Sequence, residues 1–209
     1  MFTRFDFSQY VAHFTKDGTA CVTDDNTNPA NNWNNMSAKQ KLLQILEQQS
    51  ISATTIPWTR LKAVCFTECV WGSLLAHANQ YSPYGIGFFK REIFRQKGNP
   101  VFYVRPSLYK KANLDNNPIK VFTTPFKPSY SRETLPNVPD GKPLDFSHER
   151  EWRVPSDMSF NYSDIQFLIL NSTEDLGDFE RYINQIGVDR VILMENYKKI
   201  ESLWPVHKI

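Results

Sequence analysis

Two carboxylates and a guanidinium recur at every second position in segment 149–154, which reads Glu-Arg-Glu-Trp-Arg-Val. Successive side chains of an extended segment point to opposite faces, so the pattern predicts that Glu149, Glu151 and Arg153 share one face of a strand. A carboxylate in a cleft can stabilise the cationic centre that develops when a glycosidic bond breaks, and a second can position or deprotonate the acceptor. Arg153 would keep Glu151 ionised. Glu151 and Glu149 are therefore candidate catalytic residues.

The same segment is also typical of an antiparallel sheet that packs against a core on one side only. On that interpretation Trp152 and Val154 face the core. The charged side chains are then simply hydrated on the outer face. The alternation alone leaves both interpretations open.

Two earlier segments carry side chains suited to holding a ribose, an amide or a flat ring. His13 and Thr15, two residues apart, would present a donor and a hydroxyl on one face. Gly85 and Gly87 indicate a bulge, or a place where a ligand or another backbone comes close, and the preceding Tyr84 could stack on a ring. A satisfied surface histidine and an ordinary turn explain the same residues.

Hydrophobic periodicity predicts the elements that must position these side chains. Helices are expected from Ser37, where Gln40 completes a capping box, to Gln49, and over residues 70–80 and 174–186. Strands are expected at residues 9–15, 62–67, 84–89, 100–104, 165–170 and 190–194. The composition of residues 17–36 and 106–144 predicts loops, the second with a short strand at 119–123. The irregular order predicts an α+β fold in a single domain over residues 1–209, with curved, mainly antiparallel split sheets and peripheral helices.

Composition narrows the classes of function. The 209 residues carry a net charge of +2, which permits a nucleic-acid partner without requiring one. There is no glycine-rich dinucleotide fingerprint, phosphate loop or nucleophile elbow, which argues against hydride transfer, ATP hydrolysis and serine hydrolysis. The three cysteines and four histidines have no metal-ligand spacing, so no metal site is predicted. With no long apolar run and no signal-peptide pattern, we expect a cytoplasmic protein without a membrane partner.

The order of five short blocks resembles the bacterial abortive-infection proteins of the AbiGi-like family. The blocks are His-Phe-Thr at 13–15, Val-Cys-Phe-Thr-Glu at 64–68, Tyr-Ser-Pro-Tyr-Gly-Ile-Gly-Phe at 81–88, Pro-Val-Phe-Tyr at 100–103 and Glu-Arg-Glu-Trp-Arg at 149–153. The resemblance spans nearly the whole chain apart from residues 17–36 and 106–144. It implies a role in phage defence.

A more distant resemblance is to the ADP-ribosyltransferase superfamily, in particular its DarT-like branch, which modifies nucleic-acid bases. It implies an ADP-ribosyltransferase-like fold and NAD as co-substrate. Glu151 would match the catalytic glutamate, and Glu149 the first member of the Glu-x-Glu arrangement of some branches. The implied cofactor-binding residues are His13, Thr15, Tyr84 and Arg153. The central Ser-Thr-Ser motif of those branches has no clear counterpart here.

Together these resemblances imply a NAD-dependent ADP-ribosyltransferase that acts as a phage-defence or toxin–antitoxin effector. Nicotinamide would leave, a nucleic-acid base in RNA or DNA would be the acceptor, and an antitoxin protein is a further candidate partner. One alternative is a non-enzymatic, partner-binding, antitoxin-like protein of an abortive-infection system. Another is a NAD glycohydrolase, in which water replaces the acceptor.

Overall fold

A computed structural model of the protein describes residues 7–18, 35–68, 74–132 and 142–203. These residues belong to two compact units. Unit 1 takes the described residues within 1–50, 69–89 and 159–209, and unit 2 takes those within 51–68 and 90–158. Most of the predicted loop 17–36, the start of the predicted helix 70–80 and residues 133–141 of the predicted loop 106–144 lie outside the described residues.

Helices and short strands alternate irregularly along the chain. The α-helices of the described residues are α1 (Ala38–Gln48), α2 (Leu74–Gln80), α3 (Lys90–Arg95), α4 (Pro106–Lys111), α5 (Leu176–Ile186) and α6 (Met194–Leu203). The strands are β1 (Tyr10–Phe14), β2 (Ser50–Ile51), β3 (Thr54–Thr55), β4 (Lys62–Glu68), β5 (Gly85–Phe89), β6 (Asn99–Pro100), β7 (Phe102–Val104), β8 (Thr123–Pro125), β9 (Glu151–Val154), β10 (Met158–Ser159), β11 (Ile165–Leu170) and β12 (Val191–Leu193). Within the same residues, none of the helices has the length and apolar character needed to cross a membrane.

Unit 1 is built on a sheet in which β5 lies between β1 and β11. Both pairings are antiparallel, whereas β12 adds to β11 in parallel. The apolar run of β11 is almost wholly buried, as expected for an interior strand. One face of the sheet packs with residues of α2 and α6 into an apolar core formed by Ala12, Leu74, Ala78, Phe167, Ile169, Met194 and Tyr197.

Unit 2 places β9 between β4 and β6, and both pairings are antiparallel. The short strand β3 adds to β4, also antiparallel. A separate two-stranded pair joins β7 and β8 in parallel. The candidate catalytic segment is thus the interior strand of a small sheet, and hydrogen bonds on both edges hold it in place.

The described residues confirm a mixed α+β architecture with mostly antiparallel pairing. Strand 165–170 lies where the apolar run predicts it, and the capping box at Ser37 starts α1 as predicted. Helix α5 begins at Leu176, after a 3₁₀ turn at Thr173–Asp175. Three helices, α3, α4 and α6, were not anticipated from the periodicity.

The prediction that residues 106–144 are largely loop is wrong over its first part. Pro106 opens α4 at a position where the missing N–H costs nothing. The predicted strand at 119–123 is a 3₁₀ helix, Pro118–Phe122, capped by the Asn117 side chain, and β8 follows it. Proline content concealed these elements because proline breaks a helix interior but is well tolerated in a first turn.

Replacing Ser37 by alanine is expected to lower the free energy of unfolding by about 1 kcal/mol. The Ser37 hydroxyl accepts the Gln40 backbone N–H (3.2 Å), and the Gln40 side chain accepts the Ser37 N–H (2.9 Å). Alanine removes the first of these bonds. Urea unfolding measures the loss, and Ser37→Asp should retain most of the stability. An alanine variant as stable as the wild type would contradict the role of this cap.

Candidate functional site

Glu151 and Arg153 form a bidentate ion pair inside unit 2. The Arg153 Nε atom donates to Glu151 Oε1 at 2.7 Å and Nη2 donates to Oε2 at 2.8 Å. Arg153 is fully buried and Glu151 is 8% exposed. A fork-to-fork pair of this kind is among the strongest polar contacts in proteins, because two charge-assisted hydrogen bonds act in parallel.

The remaining donors of Arg153 are also satisfied. Nη1 donates to the carbonyls of Val121 and Thr123 at 2.7 and 2.9 Å, and Nη2 donates to the Thr124 hydroxyl at 2.7 Å. The guanidinium carbon lies 5.5 Å from the ring centre of Trp58, whose indole N–H donates to the same Thr123 carbonyl. The 3₁₀ helix Pro118–Phe122 and β8 therefore supply the acceptors for the arginine N–H groups that Glu151 does not bind.

The strand alternation correctly places Glu151 and Arg153 on one face, but both side chains are buried, as is Val154 on the opposite face. Neither expectation for this face, a hydrated surface or an open cleft, describes it. Trp152, which the pattern assigns to the core, is half-buried, and Lys90 Nζ lies 5.6 Å from its ring centre. A buried charge is tolerated here because every donor of the arginine has a partner.

Glu149 is not on the strand, so the prediction that it shares a face with Glu151 is wrong. It ends a 3₁₀ helix, Ser147–Glu149, and β9 starts only at Glu151. Between them Arg150 has φ 44° and ψ 52°, in the left-handed region. This reversal interrupts the two-residue period, which holds only while the backbone stays extended.

Two titratable neighbours of the ion pair are held in their neutral forms. Burial raises the pKa of Tyr103, and the Glu151 backbone N–H, which donates to the Tyr103 hydroxyl at 3.1 Å, offsets part of this rise. Cys65 lies opposite Arg153 in the β4–β9 register. Burial, followed by the Glu151 charge, raises the pKa of the Cys65 thiol far above its usual value. Neither group is set up as a nucleophile, because the anion is disfavoured in both.

His13 and Thr15 lie in unit 1, at the end of β1. Thr15 is 4% exposed, and its hydroxyl donates to the Ala38 carbonyl at 2.9 Å. Its carbonyl accepts the Ser82 hydroxyl at 2.7 Å. The first bond ties the end of β1 to the start of α1, and the second ties it to the segment that precedes β5. His13 is half-buried and lies opposite Ile86 of β5.

Tyr84 takes part in a polar cluster of unit 1 that the sequence analysis did not anticipate. Its hydroxyl donates to Asp175 Oδ2 at 3.1 Å, and Lys39 Nζ lies 2.7 Å from Oδ1 of the same carboxylate. Asp175 is 5% exposed, whereas Asp178, the second partner of Lys39 at 2.6 Å, is largely exposed. The only sequence signal for Asp175 is its capping-box spacing from Ser172.

The charges of this cluster are mutually stabilising. Burial alone would raise the pKa of Asp175, but hydrogen bonds from Lys39, the Ser172 N–H and Tyr84 bring it below its usual value. Hydrogen bonds to Asp175 and Asp178 raise the pKa of Lys39. Burial, with the Asp175 charge, raises the pKa of Tyr84 to about 12. The cluster therefore holds a carboxylate, an ammonium and a neutral phenol at neutral pH.

Acidification is expected to remove the stabilisation that Asp175 provides. Because its folded pKa is lowered, the carboxylate contributes stability above its unfolded pKa of about 3.9 and loses it as the pH falls through the folded value. The difference in unfolding free energy between wild type and Asp175→Asn should therefore shrink between pH of about 5 and about 2. Urea unfolding across this range measures it, with the exposed Asp178→Asn as control. A difference that stays constant with pH would refute the role of Asp175.

The six predicted site residues fall into both units. Unit 1 contains His13, Thr15 and Tyr84, and unit 2 contains Glu149, Glu151 and Arg153. Their assignment to one NAD site stays a prediction. Sequence reasoning missed Asp175 and Lys39, and it missed Thr124, for which no local signal exists. Within the residues that the structure describes, no group of three or more His, Cys, Asp or Glu side chains could hold a metal ion.

Comparison with known proteins gives one family. Residues 34–126 match the family model described as "Putative abortive phage resistance protein AbiGi, antitoxin". The matched region runs from just before α1 to just after β8 and covers less than half of the chain. No curated protein and no solved structure matches the chain. The chain is thus similar to abortive phage resistance proteins over its central part.

Proposed function

We propose that this chain is a non-enzymatic, partner-binding protein of an abortive-infection phage defence system, of the antitoxin type. The observation that carries the proposal is the family match over residues 34–126, whose description names both phage resistance and an antitoxin. The match includes α1, β4, β5 and α3, so it rests on elements that build both units.

The surroundings of Glu151 support a structural role for this residue. A catalytic glutamate of the implied kind has to offer its carboxylate to the nicotinamide ribose. Here both oxygens of Glu151 accept hydrogen bonds from Arg153, and Oε2 also lies 3.3 Å from the Thr124 hydroxyl. Substrate binding would have to compete with a buried bidentate pair, which is costly to separate.

Co-expression tests the antitoxin proposal. The full chain expressed alone should leave growth unaffected, and we expect an adjacent gene whose product arrests growth when expressed alone but not when co-expressed with this chain. The two purified proteins should then elute together from a size-exclusion column. Growth arrest by the chain alone, or toxicity of the adjacent product undiminished by it, would overturn the proposal.

The ADP-ribosyltransferase hypothesis is the second candidate, and the observation that favours it is the position of Glu151 on a strand, β9. Incubation of the full chain with radiolabelled NAD and cellular RNA, DNA and protein tests it. Label on a macromolecule, lost in Glu151→Gln and kept in Glu149→Gln, would support the transferase. Label found only in free ADP-ribose would support the NAD glycohydrolase. Unchanged NAD would support the non-enzymatic proposal.

A further inference from the structure

Unit 2 contains a cavity with a volume of about 580 Å³. It lies beside the β7–β8 pair, and its lining residues are Arg105, Phe126, Pro128, Tyr130, Ser131 and Arg132. The volume is typical of small-ligand sites, which span roughly 300–1,000 Å³. None of these six described residues is acidic.

The chain builds this cavity from segments that leave two parallel strands. Arg105 follows β7 and Phe126 follows β8; because the strands are parallel, both residues lie at the same edge. The Phe126 N–H donates to the Val104 carbonyl at 2.9 Å and extends the pairing. A turn then follows, closed by the Ser131 N–H donating to the Pro128 carbonyl at 2.9 Å.

The turn presents Tyr130 to solvent, with 84% of the residue exposed. Arg105 and Arg132, which are the first and last lining residues in the sequence, are also exposed. Planar guanidinium groups suit phosphate oxygens, and an exposed phenol ring suits stacking on a flat base. The lining therefore offers complementary groups for both parts of a nucleotide.

The stretch of sequence that supplies the lining residues is rich in basic residues. Residues 90–132, all in unit 2, include ten lysines and arginines but only two acidic residues, Glu92 and Asp115. The whole chain has a net charge of only +2. Concentrating the positive charge in one stretch favours a polyanion over a small neutral ligand, because each neutralised phosphate releases counterions.

We propose that this cavity binds a nucleotide unit, an aromatic base with its phosphate, with Arg105 and Arg132 at the phosphate and Tyr130 stacked on the base. A single-stranded nucleic acid or a free nucleotide can supply this unit. The excess of positive charge in residues 90–132 favours the single strand. The site does not depend on the antitoxin proposal, since its test needs no protein partner.

Fluorescence anisotropy with a labelled single-stranded RNA of about 12 nucleotides tests the proposal on the full chain. Tyr130→Ala should weaken binding about tenfold, and Tyr130→Phe should bind like the wild type because stacking needs only the ring. Arg132→Ala should weaken binding and reduce the slope of log affinity against log salt by about 0.7. Both side chains are exposed, so these variants should fold.

Arg95→Ala is the matched control. Its side chain is 70% exposed and belongs to the same basic stretch, but it does not line the cavity. Binding should fall less in Arg95→Ala than in Arg132→Ala, because Arg95 adds only to the general charge of the stretch. Unlabelled AMP in the same assay separates the two sources of the ligand, since displacement at low AMP concentration indicates a free nucleotide. Equal losses in Arg132→Ala and Arg95→Ala with none in Tyr130→Ala, or no binding of either RNA or AMP, would overturn the site.

Discussion

Replacing Arg153 by methionine is expected to lower the free energy of unfolding by about 3–5 kcal/mol. Methionine fills much of the space of the arginine stem but leaves the Glu151 carboxylate buried beside an apolar group. The carbonyls of Val121 and Thr123 also lose their charged donor. An uncompensated buried charge is far more costly than a missing surface contact. Urea unfolding followed by tryptophan fluorescence measures the change.

The ion pair between Arg181 and Glu47 supplies the matched control. Its Nη2 and Oε2 atoms are 2.6 Å apart, but the side chains are 63% and 53% exposed. Arg181→Met should therefore change the free energy of unfolding far less than Arg153→Met does, because solvent screens an exposed pair. Adding Glu151→Leu to Arg153→Met should recover part of the lost stability, because the unpaired charge is removed. If Arg153→Met and Arg181→Met unfold at the same urea concentration, the buried ion pair and hydrogen bonds of Arg153 add nothing to the stability of the fold.

Glu151 is both a candidate catalytic residue and the buried partner of Arg153. A catalytic test therefore has to separate loss of activity from loss of folding. Glu151→Gln removes the charge that faces Arg153, so it should lower stability whether or not the protein is an enzyme. Loss of any activity in that variant counts only at a temperature where the variant remains folded. Glu149→Gln is a fair comparison, since Glu149 lies outside the strand.

Local sequence patterns were sufficient where the structure depends on near neighbours. The Ser37 capping box and the apolar run of β11 each involve residues a few positions apart. The alternation in segment 149–154 predicted that Glu151 and Arg153 share a face, because a strand dictates this directly. That the charged face is buried as well depends on Thr123 and Thr124, about thirty residues away and in a stretch expected to be loop, because they accept hydrogen bonds from Arg153. No periodicity within the segment contains that information.

The glycines of β5 show the same division between local and distant causes. A close approach at Gly85 and Gly87 was predicted from the conformational cost of glycine in a strand. The group that approaches Gly87 is the ring of Phe167 in β11, at a point where the β5–β11 register shifts by one residue. The close contact that the sequence indicated is therefore internal packing. The sequence pattern indicates that some group lies close to the glycine, and only the fold shows that this group is the Phe167 ring.

Replacing Gly87 by alanine is expected to lower the free energy of unfolding by about 1–3 kcal/mol. A Cβ atom at this position would overlap the Phe167 ring, and Phe167 is itself buried in the core of unit 1. Neither the ring nor the paired strand can move without disturbing close packing. Thermal or urea unfolding measures the loss. Gly177→Ala is the control and should not lower stability, since Gly177 lies in the first turn of α5 and a Cβ there meets nothing within 4 Å.

A second substitution tests whether Phe167 is the cause. Phe167→Val alone should be destabilising because it leaves a cavity over Gly87. In the double variant the alanine methyl occupies part of that cavity, so the two losses should not add. We expect a coupling energy of about 0.5–3 kcal/mol in favour of the double variant. Strict additivity would mean instead that the backbone of β5 requires the glycine. The structure gives no reason for such a requirement, because Gly87 does not have a positive φ.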